Sequence, residues 1–336
     1  MATIYQVSEL AGVSLATVSR VINNSGKVSP ATREKVEKAM KKLGYRPNSA
    51  AQSLASNRSN CVGVVVPVFY GPFYGEMFSG IEAELRAAGK HVIITTGESD
   101  DSREQGGIEF LLSRNCDALI LRLDAVRDDY LVELSQKDGT PFVLLDRYIP
   151  EIADRCICLD NELGGYLAAK SVLVLGHRKI AYISGPLWKN DADGRLQGHI
   201  RALNEFGLEF DPTLMYEGNF QETGGNRGME QLLQTGRPFS VVVCANDEMA
   251  AGAFGVAREK GMLIPEEMSV MGFDNIFFGP YFRPKLSSIN YPIREMGRMA
   301  ARCVLKEVYG QNGFEIQHRY EPTVVMRSSV ACKTGP

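Results

Sequence analysis

The stretch GVSLATVSRVIN, residues 12–23, decides the fold of the amino-terminal region. Gly12 breaks a helix that precedes it, and Ser14 is placed to cap a second helix over residues 15–22. Apolar positions on one face of that helix are predicted to point inward, namely Val18, Val21 and Ile22. The positions predicted to face outward near its amino-terminal end are Leu15, Ala16, Ser19 and Arg20.

The first helix of this region begins at a capping box. Thr3 is placed to cap the helix, and Gln6, three residues later, can reach back to the backbone of Thr3. One face of this helix is apolar, at Ile4, Val7 and Leu10. Two short helices joined across a glycine, the second presenting its first residues outward, predict a helix-turn-helix, a motif that enters the major groove of DNA.

A third helix is predicted to support the pair. Ser29 caps it, Pro30 takes its first position and Gly44 closes its end. Its apolar stripe has spacings of three and four, at Val36, Ala39, Met40 and Leu43. These patterns alone would also suit a small helical bundle that binds no ligand.

The charge distribution argues against that alternative. Residues 1–60 carry nine Lys or Arg against three Asp or Glu, a net charge of +6. The whole chain carries −3, so residues 61–336 must carry −9. A basic region on an acidic body is expected when only the basic region meets a polyanion such as DNA.

Composition is that of an ordinary globular protein, with 44% hydrophobic and 23% charged residues among 336. No apolar run approaches the roughly 20 residues that span a bilayer, and no signal-peptide pattern opens the chain. We therefore expect a cytoplasmic protein that makes no membrane contact.

Seven cysteines are scattered along the chain, mostly inside apolar, strand-like runs. Cys156 and Cys158 alternate along a strand, so they share a face and do not form a CxxC metal knuckle. The four histidines share no ligand spacing. Buried, reduced thiols are expected, with no metal site and no cofactor.

From residue 61 onward, short apolar strands alternate with helices. Strands are predicted at 62–66, 91–96, 117–122, 141–146, 180–185, 240–245 and 269–273. Helices are predicted near 73–88, 102–113, 127–136, 161–175, 192–206, 221–235 and 247–260. Closing pieces follow near 287–292, 293–310 and 321–329. This alternation predicts an α/β fold of parallel sheets covered by helices, and two such series predict two lobes with a cleft.

Polar and aromatic side chains follow the predicted strands, where ligands bind in open parallel sheets. These residues are Tyr70 and Phe73 after the first strand, Asp146 with Arg147, Asn246 with Asp247, and Asp274 with Asn275. Carboxylates, amides and aromatic faces suit a sugar. Arg195 lies early on a predicted helix. Taken singly, Asp247 and Asp193 could cap helices and Asp146 could pair with Arg147; grouped at strand ends, these side chains predict a ligand site.

The motif at residues 12–23 is similar to the headpiece of the lactose-repressor and galactose-repressor family. YRPN at 45–48 and AAQSLA at 50–55 resemble the hinge of that family. The likeness extends over essentially the whole chain, and the pair Leu15-Ala16 is nearest the galactose-repressor branch. It implies a helix-turn-helix headpiece and hinge helix followed by a two-lobed, periplasmic-binding-protein-like core with parallel sheets.

The resemblance implies three regions. Residues 1–45 would form the headpiece, 46–60 the hinge and 61–336 the effector-binding and dimerisation core. The lobes would comprise approximately 61–160 with 293–320, and 161–290 with 321–330. In the family the hinge becomes helical on DNA, where a leucine, here Leu54, wedges into the minor groove. Sequence alone would also allow an inert tether.

The resemblance also implies DNA contacts, together with a homodimer on a pseudo-palindromic operator. These contacts are Thr3, Tyr5, Ser14, Leu15, Ala16, Thr17, Ser19, Arg20, Asn23, Lys27, Arg46, Asn48, Ala51, Leu54 and Ala55. Arg20 suits a guanine edge or a phosphate, whereas Leu15 and Ala16 suit apolar contacts. The implied effector contacts are Tyr70, Phe73, Arg122, Asp146, Arg195, Phe220, Asn246, Asp274 and Tyr291.

A small sugar effector, a hexose or glycoside that releases the repressor from DNA, is the predicted ligand. The chain departs from the purine-binding member of the family at residues 189–191, and no dense Arg/Lys cluster or Gly-Lys-Ser/Thr loop marks a phosphate site. A corepressor-activated or dual regulator with a purine or sugar-phosphate effector is the alternative. A sugar-acting enzyme would need a nucleophile or cofactor that nothing in the sequence indicates, and a sugar-transport protein would lack the basic headpiece.

Overall fold

The computed structural model describes residues 2–23, 26–46, 58–137, 139 and 141–333. The chain folds as two units. The first comprises residues 1–61 with 115–117, and the second comprises residues 62–114 with 118–336.

The first unit contains three helices, α1 (Ile4–Ala11), α2 (Leu15–Ile22) and α3 (Pro30–Leu43). Their predicted ends are confirmed. Thr3 and Gln6 form the capping box, and Ser14 and Ser29 accept hydrogen bonds from backbone N–H groups in the next turn. Gly12 and Gly44 end α1 and α3 with φ values of 65° and 61°, a left-handed conformation that favours glycine.

A small apolar core joins the three helices. Its buried residues are Val7, Val18, Val21, Val36 and Ala39. Leu10, which the sequence places on one apolar face with Ile4 and Val7, is 44% exposed and does not join this core. The inward face of α1 is formed by Val7 with Ile4 and Ala11, and Leu10 lies to one side of that stripe.

Outside its three helices, the first unit is stabilised by hydrogen bonds to the carboxylate of Asp117. Asp117 accepts hydrogen bonds from the Ser59 backbone N–H at 2.8 Å, from the Ser59 hydroxyl at 3.0 Å and from the Asn60 N–H at 2.8 Å. These bonds fix the chain where it leaves the predicted hinge. Four residues predicted to contact DNA from the hinge lie outside the described residues: Asn48, Ala51, Leu54 and Ala55.

The second unit alternates strands with helices. The strands are β1 (Cys61–Val66), β2 (His91–Thr96), β3 (Ala118–Leu121), β4 (Phe142–Leu145), β5 (Cys156–Leu159), β6 (Ile180–Ser184), β7 (Met215–Glu217), β8 (Val241–Cys244), β9 (Ser269–Met271), β10 (Ser288–Asn290), β11 (Arg319–Tyr320) and β12 (Thr323–Val325). The helices are α4 (Pro72–Ala87), α5 (Asp101–Ser113), α6 (Asp128–Gln136), α7 (Asn161–Val174), α8 (Asn190–Glu205), α9 (Glu222–Gln234), α10 (Asp247–Glu259) and α11 (Ile293–Tyr309).

The strands form two main sheets. The first has the order β11-β5-β4-β3-β1-β2 and the second has the order β7-β6-β8-β9. The pairs β1–β3, β3–β4, β4–β5 and β5–β11 are parallel, as are all pairs of the second sheet. The predicted α/β fold with parallel sheets is therefore confirmed. β10 and β12 form a separate antiparallel pair.

Most predicted elements lie within two or three residues of the observed ones. The predicted strand ranges omit β5, which is anticipated only by the alternation of Cys156 and Cys158, and they omit β7 and β11, which at three and two residues are too short to show an apolar alternation. α11 packs along α4 beside the first sheet, while α7 packs on α8 and α9 on α10 beside the second. Gly165 permits the approach of α7 and α8, since a Cβ there would lie 1.9 Å from the carbonyl oxygen of Arg195.

All seven cysteines are free thiols. Four are buried, Cys61 and Cys158 are half-buried, and Cys332 is exposed. Within residues 2–333, masked positions aside, no group of three His, Cys, Asp or Glu side chains is placed to hold a metal ion. No helix in the same part of the chain is long and apolar enough to cross a membrane.

Candidate functional site

The outer surface of α2 combines apolar and cationic groups. Leu15, Ala16 and Arg20 are exposed, and Tyr5 of α1 is 69% exposed. The predicted inward residues Val18 and Val21 are buried, with Ile22 half-buried. The structure therefore leaves free the face of α2 that the sequence predicts for DNA contact.

Several small polar residues near this face are already hydrogen-bonded. The Ser14 and Thr17 hydroxyls lie 3.0 Å apart at the start of α2, and Asn23 donates to the Ser19 hydroxyl at 3.3 Å. Thr3 is engaged in the capping box of α1. If these hydroxyls contact DNA phosphates, the same oxygen atoms must also keep the hydrogen bonds that stabilise the helix ends.

The cations of the headpiece are mostly unpaired. Among residues 2–23 and 26–46, the ion pair is that of Lys38 with Glu34 at 2.7 Å, one turn apart on α3. Arg20, Lys27 and Arg46 are exposed and form no ion pair in that part of the chain. Free surface cations are the groups that neutralise phosphates.

A cavity of about 250 Å³ lies between the carboxyl ends of the two main sheets. Its predicted members are Tyr70, Phe73, Arg122, Arg195, Phe220, Asn246 and Asp274. Two predicted residues lie behind this lining. Asp146 borders a smaller recess beside Arg122, and Tyr291 borders an adjoining cavity that shares Phe73 and Asp274.

Arg195 is the best-positioned cation of the cavity. Its Nε donates to Asn161 Oδ1 at 2.9 Å, and its Nη1 donates to the Ala245 carbonyl at 2.5 Å and lies 3.6 Å from Asp274 Oδ1. The guanidinium also stacks over the Phe273 ring, 3.8 Å from its centroid. These contacts hold the guanidinium rigidly at the cavity wall.

Arg122 lies at the centre of a buried ionic cluster. Its guanidinium contacts Asp124 at 2.6 Å, Asp191 at 3.0 Å and Asp146 at 3.3 Å. Lys189 pairs with Asp124 at 2.6 Å. The pairing of Asp146 with Arg147, the simple alternative from sequence, is wrong, because Arg147 reaches Asp128 at 2.6 Å.

The pKa values of the buried carboxylates shift in opposite directions, because burial raises each of them while the cationic partners lower them to different extents. Burial opposes ionisation of Asp124, but Arg122 and Lys189 hold its pKa well below the usual range. Burial raises the pKa of Asp146 against the opposing effect of Arg122. Burial likewise raises the pKa of Asp274, and Arg195 only partly offsets it. Asp274, which lines the cavity, can therefore accept a hydrogen bond from a ligand when ionised and donate one when protonated.

Asn246 caps α10, accepting from the Met249 N–H at 2.9 Å, and it donates to the Phe220 carbonyl at 2.8 Å. Asp247 is therefore not the cap. It is buried, accepts from the Ile276 N–H at 2.9 Å and the Ser288 hydroxyl at 2.7 Å, and burial raises its pKa to about 7. Asp193 is not a cap either, because Lys189 holds that position on α8.

Aromatic rings form part of the cavity wall and pack behind it. Phe73 and Tyr291 meet edge to face, with centroids 5.0 Å apart. Phe220 adopts a φ of 62°, and its ring lies 5.5 Å from the Arg195 guanidinium. Across the cavity mouth, Gln221 hydrogen-bonds the Tyr70 hydroxyl. The ring faces suit the C–H face of a sugar.

Several lining residues are not among the predicted effector contacts, namely Tyr74, Glu98, Ser99, Lys189, Asp191, Asn219, Gln221 and Glu248. Lys189 and Asp191 follow β6, so the strand-end rule could have included them. The one sequence feature that indicates Glu248 is its position two residues after Asn246, a predicted effector contact. Ser99 and Asn219 lie in loops with no distinguishing pattern.

Comparison with known proteins identifies both parts of the chain. Residues 3–48 match the family described as bacterial regulatory proteins, lacI family. Residues 169–330 match a periplasmic binding protein-like domain. The chain is 40% identical over 331 residues to the HTH-type transcriptional regulator GalR of Escherichia coli (strain K12), covering 98% of this chain and 96% of that protein.

Solved structures agree with these matches. The lac repressor dimer bound to operator and the anti-inducer ONPF has a TM-score of 0.85 and 28% identity, covering 98% of this chain and 99% of the other. The complex of the transcriptional regulator CelR with cellobiose has a TM-score of 0.70 and 33% identity, covering 98% and 100%. These relatives are regulators and not enzymes.

Proposed function

Because this chain belongs to the LacI family of bacterial transcriptional regulators, we propose that it is a repressor of sugar-utilisation genes that a neutral sugar releases from DNA. The observation that carries the effector class is the pairing of charges in the cavity.

The cavity gathers three cations that lie far apart in sequence, Arg122, Lys189 and Arg195. A cluster of free cations would suit a sugar phosphate. Here each cation already contacts a carboxylate, and Arg122 contacts three. A phosphate would therefore have to compete with buried carboxylates, whereas hydroxyls can donate to the carboxylates and accept from the cations.

The cavity volume supports a small ligand of this class. A space of about 250 Å³ with aromatic walls accommodates a single sugar ring. The relative CelR forms a complex with cellobiose, a neutral disaccharide, which supports a neutral sugar as the effector here.

On the DNA side, α2 enters the major groove, with Arg20 at a guanine edge or phosphate and with Leu15 and Ala16 against thymine methyl groups. Tyr5, Lys27 and Arg46 contact the backbone. Residues 1–45 form the headpiece, 46–60 the hinge with Leu54 as the minor-groove wedge, and 61–336 the effector-binding and dimerisation core, with the lobe limits given above. Two copies act on a pseudo-palindromic operator in the bacterial cytoplasm, as expected from the lac repressor dimer bound to its operator.

Ligand binding between the lobes changes their relative placement and thereby the hinge. Such a switch requires that the sugar bind the two states with different affinity. The sign of the response, release or recruitment, separates the proposed repressor from a corepressor-activated relative.

A thermal-shift screen tests the effector class. Neutral hexoses, glycosides, hexose phosphates and purine bases would each be added to the full-length dimer at pH 7. We expect a neutral sugar to raise the melting temperature by several degrees at saturation, because a ligand that binds only the folded state stabilises it. Stabilisation by hexose phosphates or purines alone would overturn the proposed effector class.

A further inference from the structure

Glu248 is a buried carboxylate that opens onto the effector cavity. It is the second residue of α10, its side chain lines the cavity, and the residue is only 8% exposed. In the part of the chain that the structure describes, its carboxylate forms neither a hydrogen bond nor an ion pair. The carboxylate oxygens are not among the fully enclosed polar atoms of the described chain, so they reach the cavity and can accept hydrogen bonds from a ligand.

The other cavity carboxylates have cationic partners. Asp191 contacts Arg122 at 3.0 Å, Asp274 lies 3.6 Å from Arg195, and Glu98 pairs with Arg103. The groups that face Glu248 are acidic, namely Glu222 at the start of α9, Asp247 on its own helix and Asp274 after β9. Arg195, the cation beside Asp274, is committed to Asn161 and Ala245.

Glu248 also faces the opposite wall of the cavity. Its Oε1 lies 2.9 Å from the place that a Cβ would take on Gly71, the residue before α4. Gly71 has a φ of 93°, so a side chain there would be strained as well as crowded. The carboxylate therefore lies close against the backbone at the start of α4, on the wall that a bound ligand would contact.

We infer that Glu248 is a specificity-determining residue, which accepts a hydrogen bond from a hydroxyl or amino group of the effector and repels effectors that carry a phosphate or carboxylate there. The inference rests on the proposed function and names the residue that sets its ligand class. A donor on the ligand would supply the partner that Glu248 lacks, while an anion would add a charge to an acidic surface.

A hydrogen bond from the ligand to Glu248 should make the affinity for the ligand depend on pH. Burial, with Glu222 and Asp247 contributing, raises the pKa of Glu248 to about 7. A ligand that donates to the carboxylate favours the ionised form and lowers that pKa on binding, so protons are released. Affinity for a neutral sugar should then rise as the pH increases from about 6 to about 8.

Titration calorimetry of the full-length dimer with neutral hexoses, a matching amino sugar and a hexose phosphate tests this. Glu248→Gln should weaken binding of the preferred neutral or amino sugar by about 10- to 100-fold, the value of a hydrogen bond to a charged group. The same substitution should remove most of the pH dependence of sugar affinity, and it should reduce the ratio of the affinity for hexose to the affinity for hexose phosphate. Glu259→Gln is the matched control: it removes the same charge from an exposed residue at the other end of α10, outside the cavity.

The outcomes separate the two proposals. If the wild type binds a sugar and Glu248→Gln binds it within twofold with the same pH profile, the role of Glu248 is refuted and the proposed function stands. An amino sugar that outperforms the hexose by a margin that Glu248→Gln removes identifies the donor as an amino group; equal loss for both identifies a hydroxyl. If the wild type binds no sugar, the proposed function fails and this inference with it.

Discussion

The headpiece and the effector cavity are both rich in cations, yet they handle them in opposite ways. Arg20, Lys27 and Arg46 stand exposed with no ion pair in the described headpiece, whereas Arg122, Lys189 and Arg195 are each held by carboxylates. Unpaired surface cations suit a polyanion, whereas cations whose charge is already balanced by carboxylates suit a neutral polar ligand. Under the proposed function, the same side-chain types therefore serve two ligand classes, and the difference lies in their partners.

The largest expected effect comes from removing the central paired cation. Arg122→Met would leave Asp124, Asp146 and Asp191 with Lys189 alone, and uncompensated buried charges cost about 3–5 kcal/mol. Chemical denaturation should show a loss of that size in the free energy of unfolding. The control, Arg127→Met, removes an exposed arginine paired with Asp129, and it should cost less than about 1 kcal/mol. Equal effects would mean that the cluster is not a buried network.

The second-largest expected effect is the loss of sugar binding when the side chain of Arg195 is removed. Arg195→Ala should weaken sugar binding more than about 100-fold, because it removes donors to the ligand and leaves Asp274 unpaired. Calorimetry measures the loss. Arg201→Ala, on the same helix but exposed and paired with Glu162, should bind sugar like the wild type. Unchanged sugar binding by Arg195→Ala would exclude it from the site.

A smaller effect is expected at the free cation on α2. Arg20→Ala should weaken operator binding by about 10- to 100-fold if Arg20 reads a guanine edge, with less loss on random DNA. Fluorescence anisotropy with operator and scrambled duplexes measures both. An equal loss on the two duplexes would assign Arg20 to a phosphate.

The smallest effect contrasts a free and a paired lysine. Lys27→Ala should reduce the slope of log affinity against log salt by about 1, the value for one phosphate contact. Lys38→Ala removes a lysine already paired with Glu34 and should leave the slope nearly unchanged. A larger change for Lys38 than for Lys27 would break the contrast between free and paired charges.

The headpiece could be predicted almost completely from sequence because its signals are local. Thr3 with Gln6, Ser14, Ser29 and Gly44 act within one helical turn, so spacing alone predicts them. The spacing of apolar residues in α1 does not predict the exposure of Leu10, because the packing of three helices decides which face of α1 is buried.

The cavity could be predicted only in part. Asp146, Asn246 and Asp274 follow from the rule that ligands bind beyond the ends of parallel strands. The pairs Arg122–Asp191 and Lys189–Asp124 join residues 69 and 65 positions apart, and these pairings depend on how two sheets face each other. For the same reason, sequence predicts no cluster of cations, although the fold brings three together and then neutralises them.

The most direct test of the account measures operator affinity by anisotropy at fixed salt, with and without a saturating neutral sugar that the thermal-shift screen has identified. We predict that the sugar weakens operator binding by about 10-fold or more, a coupling of roughly 1.4 kcal/mol, and leaves binding to random DNA unchanged. Operator affinity that stays the same, or increases, when the sugar occupies the cavity would contradict it.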